Sequence, residues 1–243
     1  MSNKVSASII TYNEAELLPR TINYLLTVPE ISEICVLDSN STDGTQDILK
    51  TFAAAGKLRW STQKFESFYQ QRNDCVQMTT GEWIVSIDAD ETYSKDFSRM
   101  LREVCLRPEI NAIRIPTVSL VLDENHCISY ANLDPHVRVW RKSIAQYRDR
   151  VHETLYDIAD RNLHTCPDSD ILSALVYYPK VILKHAQMLK SSQALTNKGE
   201  RWETLGMLEE SAKKGMPLGK RHWQEVQSMI SNKCILELPK EWE

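Results

Sequence analysis

The run "GEWIVSIDADET", Gly81 to Thr92, ends an apolar stretch on three carboxylates, Asp88, Asp90 and Glu91. Like charges crowded into one turn are costly unless a cation or hydrogen-bond donors compensate them. Asp-x-Asp after a strand presents hard oxygen ligands, which suit magnesium or manganese, and the ion would cancel the repulsion between the carboxylates. An ion held by few protein ligands keeps positions open for a diphosphate. The competing structural reading makes Asp88 and Asp90 caps of a helix starting near Ser94. Glu91 is expected to cap that helix or to orient Asp90 from behind.

Two further loops and one helix carry candidate chemistry. In "VLDSNSTDGT", Asp38 stands at a strand end, where a carboxylate can accept from a nucleobase imide or a ribose, while Ser41, Thr42 and Asp43 read as helix caps. In "TYNE", Tyr12 can stack on a base and Glu14 can accept from it, although Asn13 and Glu14 also fit an ordinary helix start. Arg72 in "QQRND" can reach a base, ribose or phosphate, where a lone surface arginine would be solvated.

The elements that must position these residues alternate. "KVSASII", "ISEICVLD", "KLRWST" and "EWIVSID" read as strands, and "EAELLPRTINYLL", "TDGTQDILKTFAAAG" and "FESFYQQRNDCVQMT" as helices, with Gly56 closing the second. This order implies a parallel sheet with right-handed crossovers, and ligands of such sheets bind outside the carboxyl ends of the strands. "TYNE", "DSNSTDGT" and "DADE" follow the first, second and fourth strands, so three loops address one crevice. Beyond Ser94, "SKDFSRMLREVC" reads as a helix and "NAIRIPTVSLVL", "PHVRVWR" and "VHETLYD" as β-prone pieces. "ALVYYPKVILKH" reads as a last strand with a proline break. From Met188 the chain reads as helical, with an apolar stripe of Leu195, Trp202, Leu205 and Leu208 and a second helix through "GKRHWQEVQSMI".

The whole chain sets wider bounds. Its 243 residues suit one large domain, with or without a helical appendage. With 42% hydrophobic and 26% charged residues it is ordinary for a folded soluble chain, and its net charge of -4 gives no general attraction to nucleic acid or anionic membrane. No apolar run approaches the roughly 20 residues that span a bilayer, and "MSNKVSASIITYNEAE" lacks the apolar core of a secretion signal, so a cytoplasmic protein is expected. The six scattered cysteines form no C-x-x-C pair and are expected to be reduced and mostly buried. Lys213, Lys214, Lys220 and Arg221 read as a solvated helix face, against contact with an anionic acceptor or the inner face of a membrane.

Together, "ASIITYNEAELLPRTI", "VLDSNSTDGTQDI", "QQRND", "TTGEWIVSIDADE" and "VHETL" resemble glycosyltransferase family 2, the inverting nucleotide-sugar enzymes with the GT-A fold. They look most like the small bacterial branch that adds glucose to lipopolysaccharide core. The resemblance covers roughly residues 4–92 closely and roughly 130–210 loosely. It implies an α/β, GT-A-type nucleotide-binding sheet, mostly parallel and Rossmann-like, with a mixed acceptor half and C-terminal helices. The implied domain covers about residues 1–187, with a nucleotide-sugar half over about 1–92 and an acceptor half over about 93–187. A helical extension follows over about 188–243.

Carried over residue by residue, the resemblance implies that Thr11, Tyr12, Glu14 and Asp38 line the base pocket and that Arg72 supports the nucleotide. Asp88 and Asp90 would bind ribose, metal and diphosphate, with Asp90 the firmest ligand of Mn2+ or Mg2+. His185 would complete the metal site, against a purely structural role at a strand end. Inversion needs a general base on the acceptor hydroxyl. Glu153 in "RVHETL" is the candidate, with Asp149 and Asp134 as competitors, and His152 could contact phosphate or orient Glu153. Where many family members carry an Asp-Asp or Glu-Asp pair, this chain has His-Glu. The expected donor is a UDP-sugar, and the acceptor a glycan, lipid-linked glycan, peptide or modified nucleic-acid base. Two alternatives stand beside this reading. A sugar-phosphate nucleotidyltransferase would need a Gly-rich loop after the first strand, and no glycine precedes Gly44. A non-catalytic binding module would have no need of the intact Asp88-Ala89-Asp90.

Overall fold

The structure is a computed structural model that describes residues 4–120, 126–128, 135–149, 154–163, 175–177, 181, 183–186 and 235–237. Its first part alternates as the sequence predicts: β1 (Val5–Thr11), α1 (Leu18–Leu26), β2 (Ile31–Asp38), α2 (Thr45–Ala53), β3 (Leu58–Thr62), α3 (Phe68–Met78) and β4 (Trp83–Ser86). β1 lies between β2 and β4 and is parallel to both, and β2 is parallel to β3. β1 and β2 are buried along almost their whole length, the polar Ser6, Ser8 and Glu33 included, as befits central strands of a parallel sheet.

The helices owe their limits to local chemistry. α1 carries Pro19 in its first turn and buries Leu18, Ile22 and Leu25 on one face. It begins four residues later than the pattern suggests, because the backbone N–H groups of Glu14 and Ala15 are taken by Thr45 Oγ1 and Asp43 Oδ2 at 2.9 and 3.0 Å. Gly56, at φ 92°, closes α2 as expected and donates its N–H to Ala53 O at 3.0 Å. Ser67 caps α3. α3 has no apolar stripe, and Gln71 and Arg72 are buried in it beside Cys75 and Val76.

The second part supplies β5 (Glu91–Tyr93), α4 (Phe97–Val104), β6 (Ala112–Ile115), β7 (Thr117–Ser119), β8 (His126–Ile128), β9 (His136–Arg141), β10 (Ala145–Arg148), β11 (Thr154–Asp157), β12 (Leu175–Tyr177), β13 (Leu183–His185) and β14 (Ile235–Glu237). The main sheet has seven strands in the order β12-β6-β9-β4-β1-β2-β3. β9 is antiparallel to both its neighbours, and the other pairs are parallel. The sheet is thus mostly parallel with a mixed far half, as a GT-A-type fold requires. A smaller sheet runs β5-β13-β7, and β10 pairs with β11 as an antiparallel hairpin.

Three sequence readings change here. "ALVYYPKVILKH" is two strands rather than one: β12 joins the main sheet beside β6, and β13 inserts between β5 and β7. The two bracket Pro179, a residue type that cannot donate to a ladder. Glu91 begins β5 and does not cap a helix; α4 starts after Asp96, so Asp88 and Asp90 are not its caps either. Within the stretch expected to be a helical extension, Ile235–Glu237 pairs with β8 as a strand. The helices expected from Met188, and the basic run Lys213, Lys214, Lys220 and Arg221, lie outside the described residues.

The core has a layer on each face of the main sheet. One gathers Ile9, Ile22, Leu25, Val36, Trp83, Phe97, Met100 and Leu101, and the other Val76, Ile84, Val137, Trp140, Tyr147 and Leu155. Each large apolar side chain contributes roughly 1.5–3 kcal/mol on burial. Stability therefore resides below the loops, which are left free to carry polar groups.

Candidate active site

Thr11 ends β1 and Asp38 ends β2, and the two are register partners. The loops that follow are laced together. Ser39 N donates to Thr11 O at 2.8 Å, Asn13 N to Ser41 Oγ at 2.8 Å, and Thr42 N to Asn13 Oδ1 at 2.9 Å. Asn13 and Asn40 hold left-handed backbone, at φ 52° and 60°, which asparagine tolerates. Ser41 and Thr42, expected to cap α2, are spent on this lacing, and Gly44 occupies the N-cap position. Asp43 serves both loops, taking Thr45 N with one oxygen and Ala15 N with the other.

Asp38 is fully buried and accepts from Ser41 N at 2.8 Å, from Ser41 Oγ and from Gln46 Nε2 at 3.1 Å. A carboxylate offers about four acceptor sites, so about one remains for a further donor. Thr11 Oγ1 is buried without a hydrogen-bond partner among the described residues. Tyr12 and Glu14 stand half-buried on the same loop.

The carboxylate turn follows β4 at the same end of the sheet. Its backbone is held from several sides. Asp88 N donates to Glu91 Oε2 at 2.8 Å, Ala186 N to Asp90 O at 2.8 Å, and Thr21 Oγ1 lies 2.9 Å from the carbonyl oxygens of both Ala89 and Glu91. The charges facing it are two arginines. Arg72 Nη2 lies 2.8 Å from Asp88 Oδ1, and Arg138 Nη2 lies 3.1 Å from Glu91 Oε1. Burial opposes ionisation of Asp88, but Arg72 and then Arg138 outweigh it, so its pKa is held below the ordinary value. Burial raises that of Glu91, Arg138 opposing it and the neighbouring Asp88 charge adding to it. Burial works against the Arg138 charge too, yet Glu91 and Asp88 raise its pKa further.

Asp90 has a different neighbour. It is buried, and its Oδ1 lies 3.5 Å from Nε2 of the half-buried His185. β13 makes this contact possible by pairing His185 opposite Glu91. A carboxylate oxygen beside an imidazole nitrogen is a donor set that suits a divalent cation. Among the described residues no cluster of three or more such ligands forms.

Asp149, at φ 69°, follows β10 and accepts from Thr154 Oγ1 at 3.0 Å. Glu153, His152 and Asp134 lie outside the described residues. The buried thiols are poor nucleophiles: burial pushes Cys35 and Cys105 up to about 12 and Cys75 up to about 11.

Arg138 and Thr21 escaped the sequence reading. Arg138 lies where the β6–β9 register shifts, so Val137 and Val139 on either side of it fall in different core layers and simple alternation along "PHVRVWR" does not mark it. Its position opposite the carboxylates needs the antiparallel placement of β9 beside β4, and nothing local encodes that.

Comparison with known proteins gives the family of the chain. The model of "Glycosyl transferase family 2" matches residues 6–127, half of the chain. The SPbeta prophage-derived glycosyltransferase SunS of Bacillus subtilis is 29% identical over 72% of this chain and 39% of its own length. An uncharacterized glycosyltransferase of Rickettsia typhi is 25% identical over 63% of this chain and 52% of its own. The chain therefore spans about two fifths to half the length of these relatives. A crystal structure of S. aureus TarS 1-349 in complex with UDP-GlcNAc overlaps 58% of this chain and 46% of that one, at 19% identity and a TM-score of 0.47. With the family match extending through the β1, β2 and β4 loops and their carboxylates, the chain belongs to glycosyl transferase family 2.

Proposed function

We propose that the chain transfers a hexose from a nucleoside-diphosphate sugar, UDP-linked, to an acceptor hydroxyl with inversion. The observation that carries this reading is the meeting of Asp90 and His185, 3.5 Å apart, beside the Arg72–Asp88 pair at the carboxyl end of a parallel sheet. Family membership and relatives named as glycosyltransferases support it.

In this reading Tyr12 and Glu14 face the base, Asp38 and Thr11 fix the loop that receives it, and Asp88 with Arg72 orients the ribose and diphosphate. Asp90 and His185 would hold Mn2+ or Mg2+, which when bound supplies Lewis acidity to the departing diphosphate. A second-half carboxylate, Glu153 or Asp149, takes the proton of the acceptor hydroxyl as its oxygen bonds to the anomeric carbon. The bond from that carbon to the phosphate oxygen breaks, and the nucleoside diphosphate leaves on the opposite face. One displacement inverts the configuration.

The acceptor is a glycan, lipid-linked glycan, peptide or modified base. Residues 1–187 form the transferase unit and the remainder an extension. No helix among the described residues is long and apolar enough to cross a membrane, and a cytoplasmic place, peripheral to the inner membrane face, is part of this proposal.

A panel of UDP- and GDP-hexoses with manganese, scored for thermal stabilisation and nucleotide release, tests the reading. One donor should stabilise the chain and be slowly hydrolysed, and EDTA should abolish the hydrolysis. Asp90→Asn should lose turnover by about a hundredfold or more, on the scale of lost electrostatic stabilisation, with its unfolding midpoint kept. An Asp90→Asn variant as active as the parent would sink the proposal, as would a panel in which no donor binds.

A further inference from the structure

α3 has no apolar stripe because its middle, Gln71 to Cys75, grips a different neighbour with almost every side chain. Gln71 Nε2 donates to Leu37 O at the end of β2 at 3.1 Å, Arg72 meets Asp88 at 2.8 Å, and Asp74 Oδ2 accepts from Gln63 Nε2 at 2.6 Å. Cys75 Sγ sits 3.3 Å from Ile9 O on β1. These contacts bind the helix to the donor side of the fold.

Asn73 faces the other way. Its Nδ2 donates to Tyr147 O at 2.9 Å, and its Oδ1 accepts from Tyr147 N at 2.9 Å. One amide thus satisfies both backbone groups of a residue 74 positions away. Among the described residues β10 has one strand neighbour, β11, and Asn73 supplies the bonds that a second would make. Such a reciprocal pair fixes both the rotation and the sliding of β10 against the helix. The Tyr147 ring carries the Arg72 guanidinium carbon 5.5 Å from its centre and meets Trp140 edge-on at 5.6 Å. Two residues beyond Tyr147, Asp149 starts the turn toward β11.

We infer that Asn73 is a positioning residue that sets the register of β10, and hence the place of Asp149 at its end, against the Arg72–Asp88 donor side. The inference rests on the transferase reading proposed above. Asn73 touches neither reacting group in this scheme and acts through the hairpin backbone. A misplacement of about 1 Å between reacting groups can cost about a hundredfold in rate. Loss of Asn73 should therefore lower kcat far more than it weakens donor binding.

The test uses the full chain with Asn73→Ala and Asn73→Asp. Hydrogen–deuterium exchange is followed over residues 145–157, and hydrolysis of a panel of UDP- and GDP-hexoses in manganese is followed with water in place of the acceptor. Asn73→Ala should speed exchange over 145–157 and leave β1 and β2 protected. Its kcat should fall by about tenfold or more while the donor KM stays within about twofold. Asn73→Asp keeps the acceptor for Tyr147 N–H and loses the donor to its carbonyl, so it should fall between. Unchanged exchange over 145–157 overturns the proposal, as does unchanged kcat in a loosened hairpin, or an equal change in kcat and KM. If the parent chain hydrolyses none of the donors, the transferase reading fails and this role falls with it, while the exchange arm separately decides whether the clamp exists.

Discussion

Glu91 and Arg138 face each other in a site where neither charge has much water. Breaking such a pair from one side leaves the other charge uncompensated, which costs about 3–5 kcal/mol. Arg138→Leu should therefore lower the stability of the fold by about that amount at pH 7, read from urea unfolding. Glu91 already holds its proton above the ordinary carboxylate range, so the loss should shrink as pH falls and Glu91 becomes neutral. An equal loss at pH 5 and pH 8 would show that the pair is not the cause. The same pairings bear on which carboxylate would hold the proposed cation. Asp88 faces Arg72 and Glu91 faces Arg138, whereas Asp90 faces an imidazole. The sequence showed three similar acids in one turn, and only their partners distinguish them.

At the scale of elements, the strand ends and the turns between them decide where chemistry is placed. Gly81, just ahead of β4, is an example of a tight approach. A Cβ there would stand 2.7 Å from Lys4 O and 3.0 Å from Ser6 N, and closer still to Ser6 Oγ. Backbone cannot move aside cheaply, so Gly81→Ala should cost about 1–3 kcal/mol, measurable as a lower urea midpoint. An unchanged midpoint would mean that β1 and β4 can slide apart. The first four strands and three helices were legible because hydrophobic period and punctuation agree along them. β5, three residues long, carries too little pattern to read, and β13 was read only as the tail of one longer strand. Yet their pairing brings His185 to Asp90, so that part of the candidate site was legible in residue type and not in position.

Across the whole molecule, the two ends of the main sheet have separate tasks. At the end away from the loops, Glu33 is buried and accepts from Ser6 Oγ at 2.6 Å, Thr80 N at 2.6 Å, Thr80 Oγ1 at 2.7 Å and Arg59 Nη2 at 2.9 Å. Burial opposes its charge, but these donors win and bring its pKa down from 4.5 to about 2. A folded-state value below the unfolded one means stability that is complete above about pH 4.5 and is lost as pH falls toward 2. Glu33→Gln should be less stable at pH 7 and show a flatter decline between pH 4.5 and 2; a variant with the parent's acid slope would place that decline elsewhere. By itself the sequence determined the α/β class, the parallel first half and the loops that hold Thr11, Asp38, Asp88 and Asp90, since periodicity and turn residues are local properties. Tertiary structure alone decided that β9 runs antiparallel beside β4, that one Pro-containing stretch feeds two sheets, and that Arg138 and His185 face the carboxylates. Those are pairings between segments far apart in the chain, chosen by which faces must be buried together, and no short window of sequence contains both partners.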